Sequence, residues 1–554
     1  MYMSNIPLAK LLACVSVLGG VLAAPTEPDV KIPSLRDITL DQLRAGLDNS
    51  CFKSTDLITA YMQRIEEVGG QVNAVTEINP DALQIAQALD EERAQKTLRG
   101  PLHGIPILLK NNIATKDKMN NTAGSTLLLG ATAPEDSTVA KRLREAGAII
   151  LGKSNLSQWA NFRGNNLPNG WSAHGGQTIA AYHDRQDPSG SSSGSAVATD
   201  LGLAFAAVGT ETTGSILDPS QRSGIVGIKP TVGLTSRHLV IPISENLDTV
   251  GPMARSVRDA AHLLQVLAGR DDKDKYTLSA PASVPDYAAA CRPEAMQGAR
   301  IGVPNNVLDV LSRFDGAGLD AEVAAYKKAL EEMKTAGATI VPVEFAKANE
   351  LASFPDNDLL QGADFIVNLA TYLNQLNPDS SDLRNITQVR ERTQKTPAEE
   401  FPKFDTAVWD SLMRPEQFNN TDPRFKAQRD GLLEIAGPGC LLGALDQNNL
   451  TAVVLPTAMA PFWAAPIGTP VVTVPMGQLP DDTKIEKLTG DLVKRGPGVP
   501  FGLSFLGRHW SEADLIGLAF AFEQATKVRQ QLRPLVTPKR ELSDVVQTCP
   551  ALKA

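Results

Sequence analysis

Two reactive side-chain types stand at the ends of apolar runs. Residues 104–110, Gly-Ile-Pro-Ile-Leu-Leu-Lys, read as a buried strand that delivers Lys110 at its end. A lysine in such a place ordinarily reaches into solvent, so it needs partners before it can do chemistry. Ser215 closes the small-residue stretch Gly209-Thr210-Glu211-Thr212-Thr213-Gly214-Ser215, which follows the apolar run 203–208. Loops at strand ends are where α/β proteins set reactive groups on a rigid support. Between the two lies 189–195, built only of Gly and Ser. That composition suits a flexible linker. The helix start expected at 196–198 and the strand expected at 203–208 instead hold the loop between packed elements, with backbone N–H groups open to an anion. Inside it, Gly190-Ser191-Ser192-Ser193-Gly194 matches the G-x-S-x-G nucleophile elbow, which would make Ser192 the nucleophile. Such an elbow follows a buried strand, whereas residues 183–188 are polar and end in Pro188, so the match is set aside. The six histidines include no H-E-x-x-H pair, which speaks against a zinc hydrolase and for structural roles.

The elements that must position these groups alternate between helix and strand. Residues 55–68 carry Leu57, Ile58, Tyr61, Ile65 and Val68 on one helical face behind the capping candidates Ser54 and Thr55. Residues 137–146, then Gly147, then 148–151 read as helix, glycine stop and buried strand; 319–336, Gly337 and 338–343 repeat that grammar. A strand at 501–506 and a capping signal at 511–514 for a helix running toward 528 close the chain. The class is α/β. Residues 279–285 and 480–498 read as surface loops.

The 554 residues are 42% hydrophobic and 21% charged with a net charge of −9, which excludes collagen-like, coiled-coil and wholly disordered chains. The acidic balance and the absence of a basic run exclude nucleic acid as a partner. At the amino terminus, one positive charge precedes the apolar residues 11–24, which end in small residues; this pattern predicts a cleaved signal peptide over 1–24 and a secreted protein. That run is shorter than the roughly 18–20 residues a membrane span needs, and no span is expected after cleavage. In an oxidising compartment, Cys51, Cys291, Cys440 and Cys549 permit two disulfides in three pairings, or four separate buried thiols. Sequons at Asn120, Asn155, Asn385, Asn419 and Asn449 suit a glycoprotein, with Asn155 expected bare because it falls near the reactive residues.

Lys110, the loop holding Ser191, and Ser215 resemble the Ser–cis-Ser–Lys constellation of the amidase signature family. So do Ala123-Gly124-Ser125, the segment from Gly152 to Ser157, Gly227-Ile228-Lys229-Pro230-Thr231, Asp248-Thr249-Val250-Gly251-Pro252-Met253 and residues 501–526. Asn161-Phe162-Arg163-Gly164, the segment from Gly170 to Thr178 and Gly209-Thr210-Glu211-Thr212 look most like the peptide amidase branch. The resemblance implies a large mixed sheet with helices on both faces. It implies one domain over 25–554, with a signature core at 100–260, helices and loops over the pocket at 290–450, and a return to the sheet at 450–530. It also implies hydrolysis of a small-molecule or peptide amide without cofactor or metal. A serine hydroxyl attacks an amide only when a base takes its proton. Lys110 is implied as that base, working in its neutral form, with Ser191 as proton bridge and Ser215 as nucleophile. The backbone N–H groups of Thr212, Thr213, Gly214 and Ser215 are implied as the oxyanion hole. Gly190, Ser192 and Glu211 are candidates for supporting the site or binding substrate.

The chain departs from the family at Asn111, where Asp is usual, at Thr213, and at 217–223, where Asp218 and Arg222 put charge beside the nucleophile. Loop drift away from substrate or an altered pocket would account for them. A catalytically silent binding protein and the glutamine-amidating subunit of a tRNA amidotransferase are the alternative readings.

Overall fold

In the computed structural model, which describes residues 32–307, 320–354 and 357–546, the short apolar runs become strands and the amphipathic stretches between them become helices. The strands are β1 (Val75–Ile78), β2 (Pro106–Lys110), β3 (Ile149–Ser154), β4 (Trp171–Ser172), β5 (Gly176–Gln177), β6 (Ala206–Glu211), β7 (Val226–Lys229) and β8 (Thr249–Ala254). They continue as β9 (Arg300–Pro304), β10 (Thr339–Val343), β11 (Ala452–Pro456), β12 (Val471–Gln478), β13 (Glu486–Leu488), β14 (Leu492–Arg495) and β15 (Pro500–Leu506). Eleven of them form one sheet in the order β1-β3-β2-β6-β8-β7-β12-β15-β11-β9-β10. The sheet is mixed: β3, β2 and β6 run parallel, as do β11, β9 and β10, while the strands between pair antiparallel.

Side-chain alternation explains why both faces are covered. Along β11, Ala452 and Val454 point into one core with Val472 and Phe505, while Val453 and Leu455 point into a second core with Trp463 and Leu506. A strand buried on both faces has no polar side, which is why these segments read as continuous apolar runs. A third cluster packs Leu156 and Trp159 against Phe365, Leu369 and Trp409 from the helices that follow residue 357. No helix among the described residues is long and apolar enough to cross a membrane.

The helix expected at 55–68 spans Ser54–Val72. The helix expected at 137–146 spans Thr138–Glu145 and is capped by Ser137, whose hydroxyl accepts from Ala140 N. Gly147 ends that unit at φ +83°, and a side chain there would stand 2.7 Å from His103 Cα, so the glycine is required on both counts. The later helices span Asp320–Thr335 and Glu512–Thr526. Three expectations are corrected. The strand placed at 203–208 lies at 206–211 and takes in Gly209, Thr210 and Glu211. The supposed loop 480–498 contains the hairpin β13–β14, whose first strand is exposed and whose second buries Leu492 and Val493. Cys291 and Cys440 are buried free thiols, so two disulfides do not form; Cys549 lies outside the described residues, as does the 1–24 signal segment.

Candidate active site

Two adjacent parallel strands bring the reactive groups together. β2 and β6 pair with Ile107 opposite Ala206 and Leu109 opposite Val208, so Lys110 ends β2 level with Gly209 and β6 runs on past it to Glu211. Lys110, fully buried, ends β2. Its Nζ lies 2.8 Å from Ser191 Oγ, 3.1 Å from Thr210 O and 2.9 Å from Thr210 Oγ1. Burial pulls the amine down to about 7, against the opposing pull of Glu211 and Asp248; a charged ammonium is costly where water is excluded. Thr210 Oγ1 also accepts from Asn112 Nδ2 at 3.0 Å, which fixes the hydroxyl that the lysine faces.

The Gly/Ser loop is a packed connector. Its Gly190–Ser191 peptide is cis, and a side chain on residue 190 would collide with Ser157 Oγ, so only glycine fits there. Ser157 N donates to Ser191 O at 3.1 Å, and Ser192 N donates to Ser215 O at 3.0 Å. Ser189 N goes to Asp187 Oδ1 and Gly194 N to Asn155 O. The N–H groups at 189, 192 and 194 are therefore already satisfied and not open to an anion. The Ser192 hydroxyl is buried and donates to Thr210 O at 3.1 Å, joining the loop to β6; the helix Ser193–Asp200 starts directly after it.

Ser215 sits in the turn between β6 and the helix Leu217–Arg222, 7% exposed where Lys110 and Ser191 are fully covered. It is thus the member of the trio that a substrate can reach. The turn is organised by Glu211, whose carboxylate accepts from Gly214 N at 2.9 Å, Ile216 N at 2.7 Å and Leu217 N at 3.0 Å. The Gly214 N–H is consequently occupied, whereas those of Thr213 and Ser215 take no partner among the described residues. Thr212 Oγ1 donates to Asp248 Oδ1 at 2.6 Å; burial pushes Asp248 up to about 6 against that bond and the N–H groups of Ile243 and Ser244.

Of the departures, Asp218 lies against Gly214, accepts from Gln221 Nε2 at 3.1 Å, and is pushed up to about 8 by burial and by the neighbouring Glu211. It borders the turn without bonding to Lys110 or Ser191. Asn111 is fully buried and its Oδ1 accepts from Thr122 N at 2.8 Å. Among the described residues, no group of three or more His, Cys, Asp or Glu is placed to hold a metal ion. Sequence reasoning passed over Thr210, Asn112 and the role of Asp248; polar residues continuing a buried apolar strand were the available signal. Asn155, fully buried, donates through Nδ2 to Gly176 O and Thr178 Oγ1 and leaves no room for a glycan.

A mixed sheet clad by helices, with a buried lysine behind two serines, defines an amide-hydrolase architecture. The family pattern described as Amidase matches residues 56–516, and the chain belongs to that family, the amidase signature hydrolases. A relative from Arthroderma benhamiae that is named an amidase is 48% identical over 538 residues, covering 93% of this chain and 90% of its own. The crystal structure of native peptide amidase from Stenotrophomonas maltophilia is 38% identical with a TM-score of 0.79, covering 90% of this chain and 98% of that one. An amidase family protein from Bacillus anthracis is 29% identical with a TM-score of 0.78, covering 90% and 92%. The protein is an amidase.

Proposed function

We propose that the enzyme cleaves a carboxamide C–N bond through an acyl-enzyme on Ser215, with Ser191 as proton bridge and neutral Lys110 as base. One observation carries the reading: a fully buried amine, held at about 7, stands 2.8 Å from Ser191 Oγ. A neutral amine has two N–H groups and one lone pair. Both N–H groups can go to Thr210 O and Oγ1, which turns the lone pair toward the Ser191 hydroxyl. Ser191 passes its proton to Lys110 as it takes the proton of Ser215, whose oxygen attacks the carbonyl. The backbone N–H groups of Thr213 and Ser215, with Thr212 beside them, receive the developing oxyanion. The relay then runs backward: Lys110 returns the proton through Ser191 to the departing nitrogen, the C–N bond breaks, and water hydrolyses the ester on Ser215.

The likeness to peptide amidase makes peptide and small-molecule amides the substrates to screen. Export rests on the apolar segment 11–24, the small residues that end it, and the exposed sequons at Asn385, Asn419 and Asn449. The test is direct: a fluorophosphonate is expected to label Ser215, and Lys110→Ala or Ser215→Ala to abolish turnover while far-UV circular dichroism stays native. Full activity in either variant would refute the triad.

A further inference from the structure

A short segment beside the Gly190–Ser191 peptide holds an unusual backbone. Trp159, Ala160 and Asn161 have φ of +53°, +54° and +69°, three consecutive side chains in the left-handed region that L-residues avoid. Such a run persists only where its surroundings dictate it, and here they do. Trp159 N donates to Ala123 O at 2.8 Å, and its ring meets Trp409 edge-on at 5.6 Å. Phe162 packs on Phe365 at 4.8 Å. Gln158 and Arg163, both fully buried, bracket the segment and bond the buried Glu399 at 2.5 and 3.3 Å. Within this frame Asn161 alone of the three is exposed, and its Nδ2 lies 2.9 Å from where a Cβ on residue 190 would stand.

The direction of its amide is set from a distance. Asp187 accepts from Ser189 N at 3.1 Å and from Asn169 Nδ2 at 3.4 Å; Asn169 Oδ1 in turn accepts from Asn161 Nδ2 at 3.4 Å. A carboxylate only accepts, so it orients both amides in series. Asn161 Oδ1 is left as an acceptor with no partner among the described residues, on an exposed side chain beside Gly190.

We propose that Asn161 determines substrate specificity by accepting, through Oδ1, an N–H of the scissile carboxamide. This rests on the reaction proposed above: Ser191 hands a proton to the departing nitrogen, so that nitrogen comes to rest beside residues 190–191, where Asn161 stands. An ester of the same acid offers no N–H and gains nothing from Asn161.

The experiment measures kcat/KM of the full-length enzyme on a primary carboxamide and on the methyl ester of the same acid. Asn161→Gly deletes the acceptor and accepts the left-handed backbone freely. It is expected to lose about tenfold on the amide, the worth of one neutral hydrogen bond, and nothing on the ester. Asn161→Asp keeps an acceptor oxygen but loses the N–H given to Asn169 Oδ1, and is expected to retain part of the amide preference. Fluorophosphonate labelling of Ser215 at the wild-type rate in Asn161→Gly reports an intact site. An active wild type whose amide-to-ester ratio stays fixed in Asn161→Gly, whether both rates fall or neither does, overturns the role of Asn161 alone. A wild type that neither turns over amides nor labels at Ser215 overturns the reaction itself.

Discussion

In the proposed relay, Lys110 couples catalysis to pH through its surroundings. Its ordinary value of 10.5 is brought to about 7 by burial. In that relay the working form is the neutral one, so kcat/KM on a neutral amide is expected to rise with an apparent pKa near 7, then level, and to be lost as pH falls through it. The sign for stability is the same. Between about 7 and 10.5 the unfolded chain holds a proton that the folded chain does not, so the cost of burying this lysine eases as pH rises across that window. Glu211 raises the lysine by its charge and anchors three N–H groups of the turn that carries Ser215. In Glu211→Gln the charge is gone and one acceptor oxygen replaces two. The activity limb is expected to move to lower pH while kcat drops, and a pH–rate profile of the variant decides it: an unmoved limb means that Glu211 does not act on Lys110.

Among the elements, a buried pair ties the segment 397–405 to the signature core. Glu399 and Arg163 are both fully covered, and Glu399 also accepts from Ser125 Oγ at 2.9 Å and Thr126 N at 2.7 Å. Removing one member of such a pair leaves the other charge buried alone, which costs roughly 3–5 kcal/mol. Glu399→Ala is expected to lower the urea midpoint accordingly, and an unshifted midpoint would show that water or a rearranged partner satisfies Arg163. Elements were legible where burial wrote a pattern: the apolar stretches at 104–110, 148–151 and 501–506 needed only their composition. β6 was placed early because its last residues include the buried polar Thr210 and Glu211, which serve Lys110, Ser192 and the turn that carries Ser215. The β13–β14 hairpin escaped notice because residues 486–488 are exposed and nothing on that strand needs to be apolar. The left-handed run at 159–161 left no trace, since Trp and Ala carry no signal for that backbone; tertiary packing alone selects it.

Across the whole molecule, the trio was legible as residue types at recognisable spacings, but its convergence is a property of the sheet. Lys110 reaches Ser191, and Ser192 N bonds Ser215 O, because β2 and β6 lie side by side and the connector packs against both. The same burial sorts the sequons. On a secreted protein, glycopeptide mapping is expected to find sugar at the exposed Asn385, Asn419 and Asn449 and none at Asn155, which is fully covered; occupancy at Asn155 would contradict this packing. The alignment of β2 with β6 has a last consequence. Neighbouring side chains on a strand face opposite ways, so a slip of one position between these two strands would turn the amine of residue 110 toward the wrong layer. If Lys110 is the base proposed above, such a mispaired conformer is inactive, and recovered turnover after denaturation counts only those chains whose central strands have returned to their proper partners.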